Sequence, residues 1–503
     1  MAGLFQSVKS VHPGRSVFNL SYEKKFTADM GQLIPVMCDE VVPGDKWQIG
    51  NQMIIRFQPL VAPILHEVNV YVHYFFVPYR LLWSDWENFI TGGKDGAFTA
   101  TLPRWTPTSS AVGSLWDYMG MPTGVVPVNR KPLDFPKRAY NFIYNHFYRD
   151  ETLVNELDIN VSDTILRRAW EKDYFTSSLP WQQRGTAPAL PITGTAHAVF
   201  QGATTSSSWN STYGLMHDPA GSPPHFVASD AGGTAASKFK TWLNFNNVDL
   251  SAATTFNVSD LRLAFQVQKW LERNARGGYR YTEFLRSHFG VSPRDDRLQR
   301  PEYIGGTKSP VIISEVLQTS GTTVTGSNTP QGNMAGHGLS VNSSHAASYY
   351  AQEFGVIVGL MSVMPRTAYQ QGINRQWLRQ TKYDFYFPEF ANLSEQAIEG
   401  VEVYASATDA DNTSVFGYQG RYDELRYKPS QVCAQMRDTY DYWHLGRQFT
   451  GKPLLNQSFI DCVPRKDVFA APSEPAMIVQ FGNLIKAVRP LPQLAEPGLI
   501  DHN

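Results

Sequence analysis

The chain has 503 residues and a formal net charge of −1, with 44 Lys and Arg against 45 Asp and Glu, so it has no global attraction to nucleic acid or to a membrane surface. Charged residues are only 18% of the chain while aromatics reach 13%, a balance that suits either a surface covered by partners or a loop-rich β protein. Cys38, Cys433 and Cys462 are odd in number and far apart, which excludes a disulfide framework and a Cys-type zinc site and fits a reducing compartment.

The opening segment MAGLFQSVKSVHPGRS has no apolar core of signal-peptide length, and the longest apolar run, VIVGLMSVM from Val356, is too short to span a bilayer. Residues 1–30 read as an N-terminal arm of mild basicity, in which Lys9, Arg15, Lys24 and Lys25 stand against Glu23. The arm is mobile, and it faces DNA or is a plain solvated terminus. GQLIPVMCDEVVPGDKWQIG then predicts a strand that ends in the turn PGD.

The stretch Met53–Gly93 contains a long strict alternation. Val68, Val70, Val72, Tyr74 and Phe76 share one face of an extended strand, and Glu67, Asn69, Tyr71, His73 and Phe75 share the other. The second face is too apolar for bulk water, so this strand sits mid-sheet, covered on both sides, and Pro78 stops it. Whether Phe75 meets another layer of its own subunit or a neighbour is a specific question, and its own subunit is the expectation. Trp83 to Ile90 predicts a short amphipathic turn ended by Gly92 and Gly93, and Pro103–Pro136 an ordered loop. Tyr140, Ile143, Tyr144, Phe147 and Tyr148 recur at three and four, the spacing of a helix whose aromatic stripe belongs to the core.

From Gly185 to Val258 the chain is built of Thr, Ala, Ser, Gly and Asn with five charged residues, but it keeps aromatics such as Trp209, Tyr213, Phe226 and Trp242. A free linker would be more charged and less aromatic, so residues 185–258 read as a structured, projecting insertion of turns and short strands, with a disordered linker as the alternative. Ser259–Asp260 starts a helix that stops at Gly277–Gly278, and TEFLRSHFG forms a second one ending at Gly290. Residues 316–352 carry no charged side chain and read as a second charge-poor loop insertion. Phe354–Met364 predicts a buried strand. The last third is aromatic and loop-rich, and Pro490, Pro492 and Pro497 point to an extended tail.

Long strands at wide, irregular intervals do not give the rhythm of a parallel sheet, and no period of a solenoid recurs. The expected fold is mainly β: a single antiparallel jelly roll over residues 31–503, two sheets packed as a sandwich or barrel, with long loop insertions and a few short helices. No catalytic, metal or cofactor constellation emerges. HEVNV at His66 lacks the second histidine of a metalloprotease helix, and His66 and His73 fall on opposite faces. GGTKS at Gly305 lacks the first glycine of a phosphate loop, GNMAGHG at Gly332 does not match a dinucleotide fingerprint, and there is no GxSxG elbow. Asp295–Asp296 are adjacent and give no readable carboxylate pair for glycoside hydrolysis.

FFVPYRLLWSDWENFITGG resembles a characteristic segment of the major capsid protein of microviruses, the small tailless single-stranded-DNA bacteriophages, in their gokushovirus branch. DLRLAFQVQKWLERNARGGYRYTEFLRSHFGV, DDRLQRPEYIGG, FGYQGRYDELRYKPSQV, YWHLGRQF and PGLIDHN are similar to that family's blocks, in the expected order. The resemblance implies a structural coat protein, not an enzyme, that self-assembles into a T=1 icosahedral shell around circular single-stranded DNA. It implies a virion component assembled in the host bacterial cytoplasm without membrane insertion. It further implies a small basic DNA-binding virion protein, which a chain of net charge −1 needs in any case, and a threefold protrusion from 185–258 that meets a host surface receptor. Within that protrusion Trp209, Tyr213, Phe226 and Trp242 are the receptor-facing candidates, and Lys9, Arg15, Lys24 and Lys25 the DNA-facing ones. The alternative from a different class is a jelly-roll carbohydrate-binding or glycoside-cleaving protein, since aromatic loops stack on sugars.

Overall fold

A computed structural model of the chain describes residues 14–188, 197–199, 247–249, 258–278, 280–317 and 334–494. Two compact units are present: Met1–Gln182 with Asn274–Asn503, and Gln183–Arg273. The strands in chain order are β1 (Ser16–Asn19), β2 (Tyr22–Ala28), β3 (Ile34–Val41), β4 (Lys46–Phe57), β5 (Val68–Pro78), β6 (His197–Val199), β7 (Asn247–Asp249), β8 (Glu302–Pro310), β9 (Ile312–Leu317), β10 (Met334–Tyr350), β11 (Gly355–Pro365), β12 (Glu395–Glu399), β13 (Val415–Gly420) and β14 (Met477–Arg489). Strands β6 and β7 pair with each other in the smaller unit, and the rest belong to the larger one.

In the larger unit, hydrogen bonding orders the main strands β2-β14-β4-β10 in one half and β8-β5-β11-β3 in the other, all antiparallel. The halves join through a single β10–β8 pair, Ala347 with Gly305. Strand β1 continues the β2 edge along β14, and β9 extends β10. This is the antiparallel jelly roll that the strand spacing predicts, two four-stranded halves folded face to face. The core lies between them: Met53, Ile55, Phe481 and Ile485 from one half meet Val70, Val72, Tyr74, Ile357 and Met361 from the other.

Strand β5 holds the centre of its half between β8 and β11. Its alternation sends Val68, Val70, Val72, Tyr74 and Phe76 into that core. Phe75 and Val77 point the other way, into a second apolar layer with Leu115, Trp116, Phe135, Tyr140, Ile143 and Tyr144. Phe75 is 1% exposed and stands 4.8 Å from the Phe147 ring and 5.5 Å from that of Tyr303, so its own subunit covers it. The aromatic stripe is core, as its spacing implies. The helix Phe135–Ile143 carries it, and a π-turn, Tyr144–Tyr148, ends it. Tyr140 donates from its hydroxyl to the Leu33 carbonyl at 2.8 Å and accepts the Leu166 amide at 2.9 Å, which ties this layer to β3.

Two expectations change. The arm is not mobile from Ser16 onward, because β1 and β2 form an edge of the sheet against β14, a partner more than four hundred residues away in sequence. The charge-poor stretch 316–352 is not one loop insertion: Met334–Tyr350 is a strand along β4. Its inward positions are small because neighbours fill the space. A Cβ on Gly338 would stand 2.8 Å from the Phe57 ring, and one on Gly336 would stand 2.7 Å from the Ala62 carbonyl oxygen. The turn at Pro43–Gly44 ends β3 as the sequence implies and leads into β4, with Gly44 at φ 92°. The last third is loop-rich, and it also supplies β14, which crosses the middle of its half.

The two ends of the strand order approach without forming a ladder, and side chains close the seam. Tyr22 donates to Asp39 at 3.0 Å, Asn483 to the Val36 carbonyl at 3.0 Å, and Arg489 to the Glu40 carbonyl at 2.7 Å. Lys24 bridges the Pro35 carbonyl at 2.7 Å and the Tyr118 carbonyl. Edge backbone that does not pair is thus blocked from templating another chain.

Candidate functional site

Among the described residues no group of His, Cys, Asp and Glu converges to hold a metal ion. His66 and His73 serve structure. His66 Nε2 meets the Arg366 carbonyl at 2.5 Å, and His73 Nδ1 meets the Tyr148 hydroxyl at 2.7 Å. Burial, helped by Arg168, lowers the His73 pKa to about 4, so the ring is neutral. GGTKS lies inside β8, an extended strand that cannot cradle a phosphate. The three cysteines are free thiols.

Beside the small β12–β13 sheet, a hollow of about 70 Å³ is lined by Tyr174, Arg375, Glu402 and Glu424. Its polar groups mostly serve one another. Arg375 donates to Glu402 at 2.8 Å, Tyr174 donates to the same carboxylate at 3.0 Å, and Gln396 donates to Glu424 at 2.7 Å. Burial raises the Glu402 pKa, and Arg375 opposes that shift. A volume this small falls well below the ~300 Å³ of an ordinary ligand pocket. The network is an ion-pair staple, and it gives the carbohydrate alternative no sugar-sized site.

The exposed surface is more telling. In the connection from β11 to β14, Trp377, Tyr383, Phe385, Tyr386 and Phe387 are all exposed, with Trp377 at 76%. Short 3-10 turns hold this strap: Asn374 caps the first, and Asp384 accepts the Gln380 and Thr381 amides of the second. Arg379 lies 5.0 Å above Phe385 and Arg421 4.9 Å above Tyr422. Aromatic side chains with arginine between them are the composition of a surface that partners cover. The segment WLRQTKYDFYFPEF carried this signal in its sequence, and sequence reasoning passed over it.

The candidates from the arm separate. Lys9 lies outside the described residues. Lys24 is committed to the seam, and burial lowers its pKa to about 8. Lys25 is exposed and lies 3.4 Å from Glu23. Arg15 reaches the Tyr350 hydroxyl at 3.5 Å, with its guanidinium 5.8 Å from that ring's centre. Trp209, Tyr213, Phe226 and Trp242 lie outside the described residues.

A profile of the family described as capsid protein (F protein) matches residues 6–499. The chain belongs to that family. It is 34% identical to capsid protein VP1 of Chlamydia phage 1, covering 99% of this chain and 98% of that one. It is 35% identical to capsid protein VP1 of Bdellovibrio phage phiMH2K, at 97% and 96% coverage, and 30% identical to capsid protein VP1 of Spiroplasma virus 4, at 98% and 97%. The resemblance to gokushovirus-type microvirus capsid proteins therefore holds over the whole chain. Its relatives are structural proteins, and a capsid protein is a virion component that assembles with copies of itself into a shell. Among the described residues no helix is long and apolar enough to cross a membrane.

Proposed function

We propose that this capsid protein closes into a T=1 icosahedral shell around a circular single-stranded DNA genome, acting as a structural protein with no catalytic role. The observation that carries this reading is a jelly-roll wall, sealed at its own seam by Tyr22, Lys24, Asn483 and Arg489, that leaves the aromatic strap Trp377–Phe387 bare. A monomer in water does not need such a strap, and neighbouring copies would bury it. Arg15 and Lys25, with Lys9, face the genome in this proposal, whereas Lys24 is withdrawn from that set by its place in the seam. With net charge −1 the chain cannot neutralise packaged phosphates, so a separate small basic protein accompanies the DNA. Assembly takes place in the host cytoplasm.

The insertion 185–258, with Trp209, Tyr213, Phe226 and Trp242, is the host-attachment surface in this reading. Replacing it by a short turn is expected to leave particles that no longer adsorb to host cells. Unchanged adsorption would refute the attachment role. For the shell, expression of the chain with its basic partner is expected to give uniform icosahedral particles by electron microscopy. A chain that stays monomeric under every assembly condition and binds glycans tightly would instead support the carbohydrate reading.

A further inference from the structure

Strand β13 ends at Gly420, which pairs with Glu395 of β12, and the chain beyond it turns sharply. The Arg421 amide donates to the Ser394 carbonyl at 3.0 Å, and Tyr422 then takes φ 64° and ψ 24° before the short 3-10 turn Asp423–Leu425. Glycine adopts this left-handed backbone freely. For a residue with a bulky side chain it crowds the Cβ against the backbone and is rarely used. A glycine would serve the turn alone. Strain of this kind persists where the surroundings over-determine it, and it points to a task for the side chain at that position.

The task is visible in where the strained backbone sends that side chain. The Tyr422 ring is 2% exposed, and its hydroxyl donates to the Phe385 carbonyl at 2.8 Å. Tyr386 stands edge-on to the same ring at 5.2 Å. Arg421 donates to the Tyr383 carbonyl at 2.9 Å. Glu424, which is buried, accepts from Gln396 at 2.7 Å and faces Arg379 at 3.7 Å. One turn thus reaches the strap at Arg379, Tyr383, Phe385 and Tyr386. Both hydrogen bonds to Tyr383 and Phe385 go to backbone carbonyls, so they hold the strap while its exposed rings stay outward.

The strap has little of its own to fix it. Its regular structure consists of three turns of three residues each, Arg375–Trp377, Lys382–Asp384 and Pro388–Phe390. Helical pieces this short are marginal in water. A loose strap would have to be ordered at the moment of contact, at a cost in conformational entropy for every residue fixed. A strap already held in shape avoids that cost.

We propose that Arg421, Tyr422 and Glu424 are positioning residues that pre-order the strap Trp377–Phe387 for its contact with a second copy of this chain. The assignment rests on the reading of the strap as an assembly surface, and it names what keeps that surface ready before a partner arrives.

The test compares the full-length wild type with Tyr422→Phe, which keeps the buried ring and removes only the hydroxyl. Amide hydrogen exchange of the unassembled subunit, read by mass spectrometry, should quicken about fivefold in the peptide spanning Arg375–Phe390, the factor expected for one lost hydrogen bond. Exchange in β5 and β11 and the midpoint of denaturant unfolding should stay as in the wild type. The protein concentration at which particles appear should rise by up to the same factor, because only the ordered fraction of straps is competent. Arg421→Gln, which loses the bond to the Tyr383 carbonyl, should move both readouts the same way. Unchanged exchange in the strap peptide would overturn the inference. So would a uniform rise in exchange with a lowered unfolding midpoint, which would make Tyr422 a plain core residue. Trp377→Ala separates this inference from the reading beneath it. If Trp377→Ala hinders particle formation while Tyr422→Phe loosens the strap without effect on particles, the inference alone fails. If neither variant alters particle formation, the strap is not an assembly surface and both fail.

Discussion

Truncating Phe75 to alanine tests the claim that the second face of the central strand is covered from within the subunit. An aromatic side chain buries on the order of 150 Å² or more, which at about 25 cal/mol per Å² is worth ~4 kcal/mol. The lost edge and tilted contacts with Phe147, Tyr148 and Tyr303 add about 0.5 kcal/mol or more each, and partial collapse of the layer offsets some of that. The net expectation is a loss of about 4 kcal/mol for Phe75→Ala and about 1 kcal/mol for Phe75→Leu, which keeps most of the volume. Denaturant unfolding of the unassembled subunit, followed by the fluorescence of Trp105 and Trp116 in the same layer, reads this directly. A loss below about 1 kcal/mol in the free subunit, with a large loss only in particles, would refute the reasoning and hand the cover of Phe75 to a neighbour.

Acid should weaken the same layer. His73 and His146 both have folded pKa values lowered to about 4, chiefly by burial and secondarily by Arg168 in one case and Arg280, Arg300 and Arg149 in the other. A base whose folded pKa lies below its unfolded value of about 6.5 binds more protons when unfolded. Stability is therefore whole above 6.5 and drains as pH falls toward 4, by at most ~3 kcal/mol per ring and less because both rings are partly exposed. Unfolding midpoints near pH 7 and near pH 4 should differ accordingly, His73→Gln should flatten the profile, and a pH-independent wild type would contradict it. Gly338→Val should cost about 1–3 kcal/mol because its Cβ falls against the Phe57 ring; an unchanged midpoint would mean β10 does not pack as described. Trp377→Ala should shift subunit stability by no more than about 0.5 kcal/mol yet lower the yield of particles, and equal yields would show that the strap is not an assembly contact.

How much was legible depended on whether a residue's environment was local. Strand β5 and the wholly buried β11 announced themselves because their apolar alternation or run is set by cover on both faces. The aromatic helix was readable for the same reason, although nothing in YNHFY signalled that it would end in a π-turn. Strand β14 was missed, although its inward Met477, Val479, Phe481, Ile485 and Ala487 alternate. Exposed Ile478 and Leu484 blur the outward face, and Asn483 sits inward because the seam needs its amide. Strand β10 was hidden by Gly336 and Gly338, whose smallness answers to the Ala62–Pro63 backbone and to Phe57, far away in sequence. Lys24 looked like a free cation beside Lys25. Only the approach of β2 to β3 turns one of this adjacent pair into a seam bridge and leaves the other in solvent.

The most direct measurement is an electron cryo-microscopy map of particles assembled from the expressed chain, traced through the shell wall. The account predicts a closed icosahedral shell whose wall is this jelly roll, with the exposed strap Trp377–Phe387 buried between neighbouring copies. A map that leaves that strap bare to solvent, or a chain that never leaves the monomeric state, would contradict it.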